Sequence, residues 1–257
     1  MPGVCADIVN DHSSFAVKSK SPIHYHSFAE VFGLKQSNLE RCQEIVNQHP
    51  NTTLTPHSTY SVQQSDFEAV CNSKAPLLSI HFKESLGEEQ LYQNAGALAE
   101  WYQSVGFECD FLNFNSPAER IVKSIPKNQS VIFVHNSYLT EDDINLIMSH
   151  FTAPVYWVLC PRSNRYISGS ITDAAQLLIK HGLNILIGTD SLASNSSLSI
   201  IEELKCFSDI PLHTLLSWAT TNGYAAFGYK PRGWINIVGA DLENMLITEQ
   251  TEVKRVL

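Results

Sequence analysis

Short apolar segments alternate with amphipathic segments along most of this 257-residue chain. The apolar segments, several of them rich in β-branched residues, are VCADIV, IHYHSFAEVFG, NTTLTPHS, PLLSIHF, SVIFVHN, PVYWVLC and LNILIGTD. Continuously apolar strands are typical of parallel sheets that helices cover on both faces. Seven such units in about 200 residues predict an α/β fold of the (β/α)8 TIM-barrel type. An open doubly wound sheet is the alternative.

The amphipathic segments carry helix start and stop signals. They are SNLERCQEIVNQH, GEEQLYQNAGALAEWYQSVG, TEDDINLIMSHF, DAAQLLIKHG and PLHTLLSWATTNGYAAFG. Thr140 and the acidic residues after it are typical of a helix start, and a glycine ends several of the segments. Neither a GxGxxG motif nor a P-loop follows any strand, which argues against a nucleotide cofactor.

Charge and composition narrow the classes of partner. The net charge is −9 and the sequence contains no long Lys/Arg run, so nucleic acid and anionic membranes are poor candidates. No apolar stretch reaches the roughly 18 residues that span a bilayer, and no secretory signal is visible at the start. The six cysteines are scattered and form no CxxC motif, which favours reduced thiols. We therefore expect a cytoplasmic location.

Polar, reactive residues recur where the predicted strands end. They are His57, His81, His135 with Asn136, Cys160 to Asn164, and Asp190. Each one alone has an ordinary structural interpretation: a hydrogen-bonded histidine, a helix cap or a surface cation. In a parallel barrel, however, the carboxyl ends of all the strands face one mouth. The recurrence therefore predicts one functional pocket.

The residue types indicate metal-assisted hydrolysis. Imidazole and carboxylate together suit Zn²⁺ or another first-row divalent ion, such as Fe²⁺ or Mn²⁺. Such an ion lowers the pKa of bound water to about 7. In HFKE, His81 ends a strand and Glu84 follows three residues later, so one can bind a metal while the other exchanges protons with a substrate.

Several motifs resemble those of the amidohydrolase superfamily, in its deaminase and chlorohydrolase branch. TPHSTYSV, SIHFKES, VHN, CPRSN and GTDSLASNSSLSIIEELK resemble, in order, the motifs on the fourth to eighth strands of that family's barrel. The likeness covers about residues 50–230 and is nearest to aminodeoxyfutalosine and S-adenosylhomocysteine deaminase-like enzymes. It implies the hydrolytic removal of an amino group from an aminopurine-like ring, with release of ammonia.

The resemblance also implies a role for each site residue. Metal ligands would be His81 and Asp190, and the catalytic groups would be Glu84, His135 and Asp190. Glu84 would protonate the ring nitrogen, His135 would orient and polarise the attacking hydroxide, and Asp190 would take its proton. Substrate contacts would come from His57, Arg162 and Asn164. The expected partner is a small aminopurine-like molecule, and a homodimer is an open alternative to a monomer.

The chain departs from the family at the first barrel strand, which carries an HxH pair of metal ligands. The HxH present here, His24-Tyr25-His26, belongs by spacing to the third strand, and a strand segment without ligands fits it better.

We expect strands two to eight of the barrel in residues 1–232 and a C-terminal β segment, part of a small β-sandwich, in residues 233–257. A truncated sequence, a strand supplied by another chain and a degenerate non-catalytic relative would each explain the departure, and we favour truncation of an enzyme. A chlorohydrolase or ring amidohydrolase is a further alternative.

Overall fold

The computed structural model describes residues 3–169, 171, 173–229, 244–247 and 253–256. Its strands are β1 Val4–Val9, β2 His24–Val31, β3 Thr52–Pro56, β4 Leu77–Phe82, β5 Ser130–His135, β6 Val155–Leu159, β7 Asn184–Ile187, β8 Asn244–Ile247 and β9 Val253–Val256. Its helices are α1 Phe15–Lys18, α2 Leu39–Gln48, α3 Gln64–Cys71, α4 Leu86–Tyr92, α5 Gly96–Ser104, α6 Pro117–Ser124, α7 Glu141–His150, α8 Pro161–Ser168, α9 Ala174–Lys180, α10 Ile200–Leu204, α11 Leu212–Ala219 and α12 Thr221–Ala226.

The first seven strands are parallel and lie side by side in chain order. Strands β1 to β3 form one sheet and β4 to β7 form a second. A parallel bridge between Ser58 and His81 joins the two sheets, and the His81 amide donates to the His57 carbonyl oxygen at 2.8 Å. The predicted α/β fold with a parallel sheet is therefore confirmed.

The seven strands curve around a common centre. Apolar side chains from six of them meet in one cluster: Ile8, Phe28, Leu77, Ile132, Tyr156 and Leu186. A larger cluster on the other face packs the strands against the surrounding helices. Side chains alternate across each strand, so in β2 Phe28 points to the centre while Ala29 and Val31 point to the helices. This is the layered arrangement of a TIM-type barrel.

Local sequence signals set several helix boundaries. At the start of α7 the Thr140 hydroxyl accepts from the Asp143 amide, while the Asp143 carboxylate accepts from the Thr140 amide, as predicted for this start. The segment GEEQLYQNAGALAEWYQSVG, predicted as one helix, forms α4 and α5 instead. Asn94 and Gly96 adopt left-handed backbone angles, φ 53° and 79°, that break it. PLHTLLSWATTNGYAAFG is likewise two helices, since Thr220 leaves helical geometry.

Near the C-terminus, β8 and β9 pair antiparallel. The remaining part of the predicted β segment 233–257 lies outside the described residues, so its assignment as a separate unit stays a prediction. None of the helices described is both long and apolar enough to cross a bilayer.

Candidate active site

Four residues at the carboxyl ends of the strands have left-handed backbone angles although none is glycine. They are Lys83 (φ 53°), His135 (φ 76°), Asn136 (φ 58°) and Asp190 (φ 55°). Such angles are costly for residues with a Cβ, and they concentrate where the surrounding structure holds functional groups in place. The strand ends after β4, β5 and β7 therefore show a backbone signature of a functional site.

Three of the predicted site histidines lie in a row across neighbouring strands. The rings of His57 and His81 stack with centroids 4.7 Å apart, and those of His81 and His135 stack at 5.2 Å. His57 follows β3, His81 lies in β4 and His135 ends β5. Burial, together with the positive charge that His81 and His135 would carry, lowers the pKa of His57 to about 3. His57 is therefore neutral at physiological pH and keeps a nitrogen lone pair.

Both carboxylate oxygens of Glu84 contact site residues. Oε2 lies 3.2 Å from Nε2 of His135, and Oε1 accepts a hydrogen bond from the Tyr60 hydroxyl. The amide of Asn164 donates to the backbone oxygen of His135 at 3.2 Å, so its own oxygen, 2.8 Å from Nδ1, accepts the Nδ1 proton. Nε2 of neutral His135 then has a lone pair facing Glu84. A carboxyl group held against an imidazole in this way suits general acid–base catalysis.

Asp190 is held by two serine hydroxyls. Its Oδ2 accepts from Ser163 at 2.6 Å and from Ser194 at 2.5 Å. Burial alone would raise the pKa of Asp190, but these hydrogen bonds and the nearby His135 lower it overall. The Asp190 charge in turn opposes the fall in the pKa of His57, so the two groups lie in one electrostatic environment.

The two predicted residues of α8 have different surroundings. Asn164 is buried, and its amide is occupied by His135. The Arg162 guanidinium donates to the Ser196 hydroxyl, and its backbone amide donates to Glu203 at 3.0 Å. Asn164 therefore holds His135 in place, whereas Arg162 is directed towards the loop that follows β7. The predicted substrate contacts of both residues stay predictions.

Glu30 is a candidate site residue that the strand-end pattern does not include. It lies near the carboxyl end of β2, is 5% exposed, and its Oε1 is 3.4 Å from Nδ1 of His81. Burial raises the pKa of the Glu30 carboxyl, against opposing effects of His81 and the Asn10 amide. One donor atom from each of Glu30, His57 and His81 lies within 4.8 Å of the others. Two imidazoles and a carboxylate are a donor set that fits Zn²⁺.

A signal for Glu30 was present in the sequence. It is an acidic residue inside the apolar run SFAEVFG, where a charge is rare unless a partner compensates it. By contrast, His24 and His26 are at the start of β2. Glu30 is six positions after His24, about 20 Å along the strand, so this HxH pair lies at the opposite end from the site.

The loop between β3 and α3 is held by residues distant in sequence. Tyr92 donates to the Thr59 carbonyl oxygen at 2.6 Å, and Tyr102 donates to the Tyr60 carbonyl oxygen at 2.8 Å. The buried Arg120 guanidinium donates to the carbonyl oxygens of Thr59 and Val62 at 2.7 and 2.8 Å. These bonds fix the backbone that carries Tyr60, and through it the position of Glu84.

Comparison with known proteins agrees with this geometry. The sequence model of the amidohydrolase family matches residues 29–235. An aminodeoxyfutalosine deaminase of Nitratiruptor sp. is 28% identical over 237 residues, which cover 88% of this chain and 54% of that protein. The crystal structure of Helicobacter pylori aminofutalosine deaminase with methylthio-coformycin superposes with a TM-score of 0.75 at 28% identity, covering 88% of this chain and 60% of that one.

A zinc-bound adenosine deaminase from Xanthomonas campestris shares the fold, with a TM-score of 0.61 at 22% identity over 86% of this chain and 53% of that one. The chain spans about half the length of the curated relatives it matches. Because the family model covers most of its residues, the chain belongs to the amidohydrolase family. The resemblance inferred from the motifs, and the TIM-barrel fold expected from it, are confirmed.

Proposed function

We propose that this chain contributes the active site of a metal-dependent aminohydrolase that deaminates an aminopurine nucleoside or a related ring. The observation that carries the proposal is the contact between Glu84 and His135 at the end of a row of three stacked imidazoles. Family membership and the deaminase names of the relatives support it. We retain as part of the proposal Zn²⁺ rather than Fe²⁺ or Mn²⁺, a cytoplasmic location and a homodimer.

The imidazole of His81 and the ionised carboxylate of Asp190 are donor types that fit a divalent ion, which when bound would lower the pKa of water to about 7 and so supply hydroxide. Following the family, His81 and Asp190 would hold that ion. Asp190 suits this role because its two serine donors keep it ionised.

Residues of this chain carry out the proton transfers. Glu84 gives a proton to the ring nitrogen next to the carbon under attack, and His135 orients the attacking oxygen. Asp190 takes the proton released from the water and returns it to the leaving amine, which departs as ammonia. The proton that remains on the attacking oxygen returns to Glu84, so the ring carbon ends with a carbonyl oxygen from water in place of its amino group and Glu84 is protonated again. His57, Arg162 and Asn164 are the proposed substrate contacts.

The test is Glu84→Gln in zinc-loaded protein. Glutamine keeps the shape of the side chain but cannot act as an acid or base near neutral pH, and general acid–base groups contribute about 10²–10⁴-fold to rate. We expect kcat to fall by at least about 100-fold while zinc content stays unchanged. The measurements are ammonia release from adenosine-type nucleosides and metal analysis by mass spectrometry.

Glu89→Gln is the matched control, because Glu89 lies five residues after Glu84 in the sequence but pairs with Lys83. It should leave kcat within about threefold of the wild type. Zinc-loaded wild type that deaminates no aminopurine but hydrolyses a chlorinated triazine would replace the proposal with the chlorohydrolase alternative. Protein inactive on both substrates would favour a non-catalytic relative.

A further inference from the structure

Glu203, on helix α10, is a fully buried carboxylate whose two oxygens both accept hydrogen bonds. Oε2 accepts from the backbone amide of Arg162 at 3.0 Å, and Oε1 accepts from the side-chain amide of Asn195 at 2.6 Å. The Arg162 amide lies in the first turn of α8, where N–H groups have no partner within the helix and a negative charge is favourable. A carboxylate is tolerated out of water only with such bonds, so these two contacts account for its burial.

The two donors to this carboxylate are next in sequence to the two serines that hold Asp190. Arg162 directly precedes Ser163, and Asn195 directly follows Ser194. The two serine hydroxyls lie 2.8 Å apart, and both donate to the same oxygen of Asp190. One serine belongs to α8, after β6, and the other to the loop after β7. The carboxylate therefore bridges the two segments that meet at Asp190.

A further bond extends this link to the backbone beside Asp190. The Asn195 side-chain amide also donates to the Thr189 carbonyl oxygen at 2.8 Å. Thr189 directly precedes Asp190, whose φ of 55° is unfavourable for a residue with a Cβ. Such an angle persists only where the surrounding contacts hold it. Glu203 fixes the amide that makes one of these contacts.

Helix α10 gives Glu203 a fixed base. Leu204, the next residue, is buried in the large apolar cluster between strands and helices, and Ile200 packs against the same cluster. Glu202, one position earlier, is exposed and pairs with Lys205. Two neighbouring glutamates therefore have opposite surroundings, and only Glu203 faces the segments that carry the site.

We propose that Glu203 is a positioning residue for Asp190. Its two oxygens fix the separation of Ser163 and Ser194, and these hydroxyls set the orientation of the Asp190 carboxylate. The inference rests on the proposed function, in which Asp190 binds the metal ion and takes a proton from water. Groups that orient a metal ligand from outside the coordination shell are typically worth about 10–100-fold in metal affinity or activity.

The test is Glu203→Gln, which keeps the shape of the side chain but replaces one oxygen with an NH₂ group that faces an N–H donor. We expect zinc affinity to weaken by about tenfold or more, measured by competition with a chromophoric chelator. In zinc-saturated enzyme, kcat for ammonia release should fall by about tenfold or more, while KM stays within about threefold of wild type.

Two neighbours on the same helix supply matched controls. Glu202→Gln removes an exposed carboxylate and should leave zinc affinity, kcat and Tm unchanged. Leu204→Ala removes a buried side chain and should lower Tm, while the folded, zinc-saturated enzyme keeps the kcat and zinc affinity of the wild type. This second control separates a loss of position from a loss of stability.

If Glu203→Gln does not fold, Asn195→Ala breaks the same link at its other end and should also weaken zinc binding by about tenfold. A folded Glu203→Gln protein with zinc affinity and kcat within about threefold of wild type would overturn the inference, whatever its Tm. So would a wild-type chain that binds no zinc. The proposed function fails by a different result, which is zinc-loaded wild type without deaminase activity, and the zinc affinities of the variants would still decide the role of Glu203.

Discussion

Glu84 has a fixed position because each of its oxygens meets a different residue. His135 contacts one oxygen and the Tyr60 hydroxyl donates to the other. A proton-transfer group works best when its geometry is set before the substrate binds. Tyr60 therefore has a positioning role in the proposed reaction. Among the residues described, its hydroxyl bonds Glu84 and forms no hydrogen bond with the three stacked histidines or with Asp190.

Tyr60→Phe should lower kcat by about tenfold, with little change in KM or zinc content. A hydrogen bond is worth about 0.5–1.5 kcal/mol net, and about 1.4 kcal/mol corresponds to a factor of ten in rate. The comparison is steady-state kinetics of Tyr102→Phe, which removes a hydroxyl that donates to the backbone of the same loop. A Tyr60→Phe enzyme as fast as the wild type would show that the hydroxyl does not position Glu84.

At the residue scale, the sequence predicted those candidate site residues that lie at the ends of strands. His57, His81 and His135 were identified because strand ends can be read from apolar runs followed by polar residues. Glu30 and Tyr60 were not, for different reasons. Glu30 lies within an apolar run, and only the pairing of β2 with β3, together with the bridge from Ser58 to His81, brings it beside His81. Tyr60 lies in a loop, whose path the sequence pattern does not determine.

The loop between β3 and α3 is held in place by helix α6, which is distant in the sequence. Arg120, on α6, is fully buried, with its guanidinium 4.3 Å from the Phe67 ring centre and 4.2 Å from that of Phe111. Besides the two carbonyl oxygens it binds the Gln64 side chain at 2.9 Å. A planar group with several fixed donors suits this set of acceptors better than an ammonium.

Arg120→Met should destabilise the fold by about 1–3 kcal/mol, because it leaves the Val62 carbonyl oxygen without its donor, while the Thr59 carbonyl oxygen keeps the Tyr92 hydroxyl. Urea unfolding measures the loss, and hydrogen exchange should show faster exchange in residues 57–63. Lys123→Met on the same helix is the control: its ion pair with Glu119 is exposed and should be worth less than about 1 kcal/mol. Equal stability of the two variants would contradict this account of the loop.

A cluster of apolar side chains at the barrel centre joins the two parallel sheets. Phe28 from the first sheet is fully buried there against Leu77, Ile132, Tyr156 and Leu186 from the second. Phe227, just after α12, packs on the same cluster and lies 6.4 Å from Phe28, ring centre to ring centre. Contacts of such wide sequence separation make the stability of each sheet depend on the other.

Phe28→Ala should destabilise the molecule by about 3–5 kcal/mol, the usual range for removing a buried phenylalanine. Because the cluster joins both sheets, hydrogen exchange should accelerate in β4 to β7 as well as in β1 to β3. Phe32→Ala, next to the same strand but 41% exposed, should change stability by less than about 1 kcal/mol. Faster exchange confined to β1–β3 would show that the sheets unfold independently.

The sequence by itself determined the fold class and the family, and it predicted the strand-end residues of the candidate site. These follow from local patterns: apolar periodicity, helix signals and short motifs in a fixed order. Only the tertiary structure decided that three imidazoles stack in a row, that Glu30 joins two of them and that Arg120 fixes the Tyr60 loop. Such contacts depend on strand register and curvature, which bring residues 50 or more positions apart to within hydrogen-bond distance. Local periodicity shows which face a side chain takes, but not which neighbour it meets there.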